Sequence, residues 1–169
     1  MPNYCECDLS IQGTEGDVVA FLEAMKYEDN LFSFNAVIPY PQRFASLDRA
    51  ARDFDKAAGC EYSIGRPRDG FNSGGYEWCK ENWGTKWDAG DVSIYKRGNT
   101  QMVSFRTAWN PPLPVMEAMV KKFPTLELEL NYFECGMEYC GTWYFRPKDE
   151  YDDEVVRQSR GEYAGSRGG

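Results

Sequence analysis

Two short segments hold side chains that can recognise a ligand: Trp83, Lys86, Trp87 and Asp88 in the first, Trp109 and Asn110 in the second. Tryptophan offers a flat apolar face for stacking, and the interleaved lysine, asparagine and aspartate add charge and hydrogen bonds. That is the composition of a nucleotide or sugar pocket, or of a protein-interface hot spot. It is also the composition of a small core, because a segment laid over a sheet must bury aromatic side chains of its own. Lys86 separates these readings, since core packing gives a lysine no role. In the pocket reading Arg66 or Arg68 joins Lys86 on phosphates or hydroxyls.

Other chemistry is poorly supplied. Acid-base catalysis by Asp88 or Glu134 requires a buried carboxylate pair with displaced pKa values, which spacing alone does not reveal. Asp88 and Asp91 could face a magnesium ion, but acids so spaced ordinarily serve turns and caps. Cys5-x-Cys7 and Cys135-x4-Cys140 lack the Cys-x2-Cys knuckle of four-thiolate zinc sites. The chain has no histidine, so Ser-His-Asp and Cys-His pairs and imidazole metal ligands are excluded. No phosphate-cradling loop, nucleophile elbow or deaminase signature is present. The expectation is no catalytic residue, no metal and no cofactor.

These residues sit in a chain of 169 residues, 42% hydrophobic and 27% charged, which suits one globular domain. With 27 acids against 19 bases the net charge is -8. That charge opposes general attraction to nucleic acid or anionic lipid. The amino terminus has no basic region followed by an apolar run, and no stretch approaches a membrane span. A cytoplasmic protein is expected, with its six cysteines as free thiols.

The elements that must position the site follow from periodicity. Tyr4 to Gln12 alternates Cys5, Cys7, Leu9 and Ile11 with Glu6, Asp8, Ser10 and Gln12, predicting a strand with its thiols inward and its carboxylates outward. Thr14 and Asp17 open a helix carrying Val18, Phe21, Leu22 and Met25. Phe44, Leu47, Ala51, Phe54 and Ala58 predict a second helix ended by Gly59. Gly65 to Gly75 reads as loop, and Tyr76 to Trp87 as a dense aromatic stretch. Asp91 to Arg97 and Gln101 to Trp109 form a hairpin about Gly98-Asn99. Leu113, Met116, Met119, Val120 and Phe123 mark a helix stopped by Pro124. Thr125 to Phe133 and Met137 to Phe145 are strands.

Without the insertion the order is strand, helix, strand, strand, helix, strand, plus one strand. This is the split βαβ pattern of a ferredoxin-like α+β fold, an antiparallel sheet with two helices on one face. Residues 1–147 form this domain, with a helical and loop insertion at about 28–90 after the first helix. Residues 148–169 form an acidic, then Gly- and Arg-rich tail that frays after about residue 160. The open sheet face carries Glu6, Asp8, Glu127 and Glu129, with Lys96, Arg97 and Arg106 expected on its opposite half. Asp149, Glu150, Asp152, Asp153 and Glu154 extend the acidic surface into the tail.

Trp78-Cys79-Lys80-Glu81-Asn82-Trp83-Gly84-Thr85-Lys86-Trp87-Asp88, with Thr107 to Pro112, Tyr132 to Gly141 and the opening Met1-Pro2-Asn3-Tyr4-Cys5, resembles the YubB-type, Api92-like ferredoxin-like proteins of phages and plasmids. The resemblance runs through most of residues 1–145, with Asn-Trp-Gly-Thr-Lys-Trp its most specific piece. Tyr4 departs from it where a tryptophan is expected, as does Cys135, where a proline would separate acid and glycine. It implies a fold and a mobile-element origin and hands over no catalytic residue. The resulting expectation is a non-enzymatic protein that binds and inhibits a host protein with a basic surface, such as a defence or DNA-processing factor. In its sharpest form it acts as an acidic DNA mimic, with no direct nucleic-acid or membrane partner. The alternative is a small-molecule binder for nucleotides or sugars that uses the tryptophan cluster, and an enzyme using carboxylates ranks behind both.

Overall fold

The computed structural model describes residues 3–59, 64–146 and, for the backbone alone, 156–159. Alternation along β1 (Tyr4–Gln12) places Cys5, Cys7, Leu9 and Ile11 at 0–1% exposure on one face. The pleat sends Glu6 and Asp8 to the other face. Gly13 ends the strand, and the Thr14 hydroxyl accepts the Asp17 N–H to cap α1 (Glu15–Ala24).

The insertion contains α2 (Gln42–Ala58), closed by Gly59 in the left-handed region, and α3 (Gly75–Asn82). A one-turn 3-10 helix spans Phe34–Ala36. The sequence reading does not separate α3 from its aromatic surroundings. At eight residues between glycines, with no side-chain N-cap, it has little helical signature. Then come β2 (Gly90–Arg97), β3 (Thr100–Ala108), α4 (Leu113–Lys122), β4 (Glu127–Glu134), β5 (Tyr139–Phe145) and β6 (Val156–Ser159).

All strand pairs are antiparallel, in the order β2-β3-β1-β4-β5-β6. The first four reproduce the ferredoxin-like order, so the α+β, ferredoxin-like expectation holds. β6 lies within the segment read as tail and extends the sheet beyond residue 147. The acidic run 149–154 and residues 160–169 lie outside the described residues.

On the covered face, Val115, Met116, Met119 and Val120 of α4 and Phe21 of α1 join the inward residues of β1, β3 and β4 in one core. The insertion packs into that core too. Phe32 and Phe34 reach Phe105 of β3 at ring-centroid distances of 5.2 and 5.9 Å, bringing the loop before α2 onto the sheet. No helix among the described residues is long and apolar enough to cross a membrane.

Candidate functional site

The segment following α3 is fixed from three sides. Gly84, at φ 75°, turns so close to Pro114 that a Cβ there would lie 2.7 Å from the proline Cδ; only glycine fits both constraints. Thr85, 1% exposed, accepts the Ala108 N–H and donates to the Ala108 carbonyl, both at 3.0 Å. It thereby stands in for a strand partner at the end of β3.

Asp88 then lashes the insertion together. One carboxylate oxygen accepts the Phe34 N–H at 2.7 Å and the Ala89 N–H at 2.8 Å. The other accepts from the Ser33 hydroxyl at 2.5 Å and from Asn35 Nδ2 at 3.3 Å. Asp88, expected as a contact residue, is therefore committed to holding the one-turn helix. Asp91 instead pairs with Arg106 at 3.2 Å.

Trp83 also departs from the expected role. It is 3% exposed, packs edge-on to Phe34 and Trp78, and donates its indole N–H to the Ile38 carbonyl at 2.9 Å. A tryptophan filled on its faces and satisfied at its nitrogen belongs to the core. The positive turn at Gly84 breaks the helical phase, so Trp83 and Trp87 do not share a face.

Lys86, Trp87, Trp109 and Asn110 remain at the surface, the first three partly exposed and Asn110 exposed. The Lys86 Nζ stands 5.0 Å from the Trp87 ring centroid, 5.2 Å from Trp109, 5.8 Å from Tyr76 and 5.9 Å from Phe71. Four rings thus surround one ammonium, each presenting negative potential at its face. Among the described residues, no carboxylate oxygen forms an ion pair with Lys86.

Trp109 is held there in the left-handed region, at φ 65°, a conformation that costs a bulky residue of order 1–3 kcal/mol. Its N–H donates to the Asn3 carbonyl at 3.0 Å, and its own carbonyl accepts the Tyr139 hydroxyl. Thr107 donates to the Asn110 carbonyl at 2.8 Å, so the whole turn is pinned from the sheet.

The sequence reading missed Phe71, Tyr76 and Lys80. Lys80 Nζ lies 5.3 Å from the Tyr76 centroid, and the (i, i+4) spacing of that pair is its signal once α3 is recognised. Of the two arginines considered, Arg66 forms ion pairs with Asp55 and Asp69 at 3.0 and 2.9 Å. Arg68 donates to the Asn72 carbonyl.

The remaining chemical candidates resolve differently. Glu134, fully buried, accepts the Gly136 and Met137 N–H groups at 3.0 and 2.6 Å and so braces the β4–β5 turn. Cys5, Cys7 and Cys79 are buried, Cys135 is exposed and Cys140 is partly exposed; all five are free thiols. Burial pushes the Cys7 thiol well above its ordinary range and Cys79 up to about 12. Among the described residues, no group of three or more His, Cys, Asp or Glu is placed to hold a metal ion.

On the opposite sheet face, β1 and β4 carry Glu6, Asp8, Glu127 and Glu129 on one side of the pleat, as the registers Glu6↔Phe133 and Ser10↔Glu129 require. Each has a local partner. Glu6 pairs with Arg106 at 3.5 Å and Glu127 with Arg146 at 3.8 Å. Asp8 accepts from the Ser104 hydroxyl at 2.6 Å, and Glu129 from Asn131 Nδ2 at 2.8 Å. Lys96, expected on this face, pairs in register with Gln101 and falls on the other. Adjacent residues of a strand point to opposite faces, so Lys96 cannot accompany Arg97.

Residues 82–164 match the family model described as the ferredoxin-like domain in Api92-like protein. The fold is similar to the crystal structure of a protein api92 from Yersinia pseudotuberculosis, with a TM-score of 0.55 over 95% of this chain and 98% of that one. Identity is 11%, so the likeness is one of fold. No curated protein matches the chain.

Proposed function

We propose that the chain is a non-enzymatic binding protein of a phage or plasmid that captures and inhibits a host protein in the cytoplasm, docking a basic surface on the sheet face that carries its carboxylates. The observation that carries this reading is the grouping of Glu6, Asp8, Glu127 and Glu129 on adjacent strands of that face. Their present ion pairs are exposed: Glu6 and Arg106 are 43% and 47% accessible, Glu127 and Arg146 53% and 60%. Pairs of that kind contribute about 0–1 kcal/mol. An incoming lysine or arginine therefore replaces the local partner at small cost and gains steering from the net charge of -8.

Arg106 and Arg146 interrupt the carboxylates, so occupation of a nucleic-acid channel as a DNA mimic relies on the tail acids Asp149, Glu150, Asp152, Asp153 and Glu154 in addition. The mobile-element origin rests on the resemblance carried by Asn82 to Trp87, and a host defence or DNA-processing factor suits that origin. Asp88 spends its oxygens on backbone N–H groups, the Ser33 hydroxyl and the Asn35 amide, and Glu134 spends its own on backbone N–H groups, which favours binding over turnover.

The test is capture of the host partner by the wild type and by E6Q/D8N/E127Q/E129Q. Capture should be strong at about 0.05 M salt, weak at about 0.5 M where screening is short-ranged, and at least tenfold weaker in the variant. A partner held equally by both proteins, or no partner at either ionic strength, defeats the proposal.

A further inference from the structure

A second surface, separate from the carboxylate face, brings two lysines to one aromatic ring. We propose that the corner formed by Phe71, Tyr76, Lys80, Lys86, Trp87 and Trp109 binds a nucleotide, an anionic phosphate joined to a flat base. Lys86 and Lys80 both stand within 6 Å of the Tyr76 ring centroid. Among the described residues neither makes an ion pair with a carboxylate. In a chain with 27 acids and 19 bases, two neighbouring ammonium groups without a direct carboxylate partner among the described residues are available to an anion.

The rings give that charge its geometry. Phe71, Tyr76, Trp87 and Trp109 restrict the Lys86 side chain, so ordering it on binding costs less than ordering a free lysine. All four residues are also partly exposed, and a base stacked on a tryptophan can place its phosphate beside the ammonium groups. A bare phosphate would forgo the stacking, and an unphosphorylated nucleoside would forgo the charge. The net charge of -8 repels a long polyanion, favouring a ligand with few phosphates.

Titration of the full chain, followed by tryptophan fluorescence and melting temperature, tests this with four probes: adenosine monophosphate, adenosine, inorganic phosphate and a single-stranded octanucleotide. The expected result is saturable quenching and a raised melting temperature with adenosine monophosphate, and at least tenfold weaker effects from adenosine or phosphate alone. Lys86→Gln and Lys80→Gln should each weaken the nucleotide by about tenfold or more. Lys80→Gln is the safeguard against misfolding, because this exposed residue meets the Tyr76 ring from the surface.

If the octanucleotide binds more tightly than the mononucleotide and both lysine variants weaken it, the phosphorylated base is supplied by a strand; the reverse order assigns it to a free nucleotide. Absence of quenching and stabilisation by either probe up to about 1 mM overturns the proposal, as does binding unchanged in both variants. Because E6Q/D8N/E127Q/E129Q alters only the sheet face, it should leave nucleotide binding intact, and failure of one site is thereby distinguishable from failure of the other.

Discussion

Trp83→Ala is expected to destabilise the fold by about 3–5 kcal/mol, the range for truncating a buried tryptophan. The indole lies where the insertion meets the sheet core, at centroid distances of 6.0 Å from Phe34, 5.8 Å from Tyr40 and 5.4 Å from Trp78. Removing it opens a cavity against rings that are held from other directions and cannot all collapse inward. It also strips the Ile38 carbonyl of its indole donor. Trp87→Ala provides the contrast. Trp87 is partly exposed and faces the Lys86 ammonium, so its loss should cost about 1 kcal/mol or less. Urea unfolding of the two variants measures the difference. Equal losses would mean that the core and surface assignments of these tryptophans are wrong.

Asp88→Ala should cost about 3–5 kcal/mol, for a different reason. The carboxylate accepts from the N–H groups of Phe34 and Ala89, the Ser33 hydroxyl and the Asn35 amide. Ser33 and Phe34 are fully buried, and donors left without an acceptor retain a desolvation cost of about 1–3 kcal/mol each. Asp88→Asn keeps one acceptor oxygen and turns an amide toward the remaining donors, which places its loss between alanine and wild type. Denaturant midpoints should follow the order wild type, Asn, Ala. Hydrogen exchange should accelerate first at Phe34. An alanine variant as stable as wild type would show that the insertion is not lashed through Asp88.

The two predictions also mark where sequence reasoning works. Strict alternation in β1 has one consistent outcome, because a one-residue slip would bury four polar groups. The inward Cys5 and Cys7 were therefore legible, as were α1, α2 and α4 from their apolar spacing. Lys96, expected beside Arg97 and Arg106, follows Ile94 to the covered face, because alternation separates adjacent residues. β6 was not recognised because Val156-Arg157-Gln158-Ser159 has only one apolar residue to mark it.

The site was legible in part. Lys86, Trp87 and Trp109 share a corner, yet their caging rings come from residues 71 and 76, joined to them only by the tertiary fold. Trp83 and Trp87 have the same residue type four positions apart, and a backbone turn at Gly84 decides which enters the core. The role of Asp88 depends on Ser33 and Phe34, more than fifty positions earlier in the chain. Such contacts leave no local pattern.

The arrangement rests on the polarity of β1, with thiols under the helices and carboxylates on the opposite face. Thiol labelling of the native protein at pH 8, followed by peptide mapping, tests that polarity directly. Cys135 should label rapidly. Cys5 and Cys7 should remain unlabelled until global unfolding, since burial denies the reagent access and the raised pKa of Cys7 keeps its thiol protonated at that pH. Labelling of Cys5 or Cys7 at the rate of Cys135, in protein that remains folded, would contradict the account.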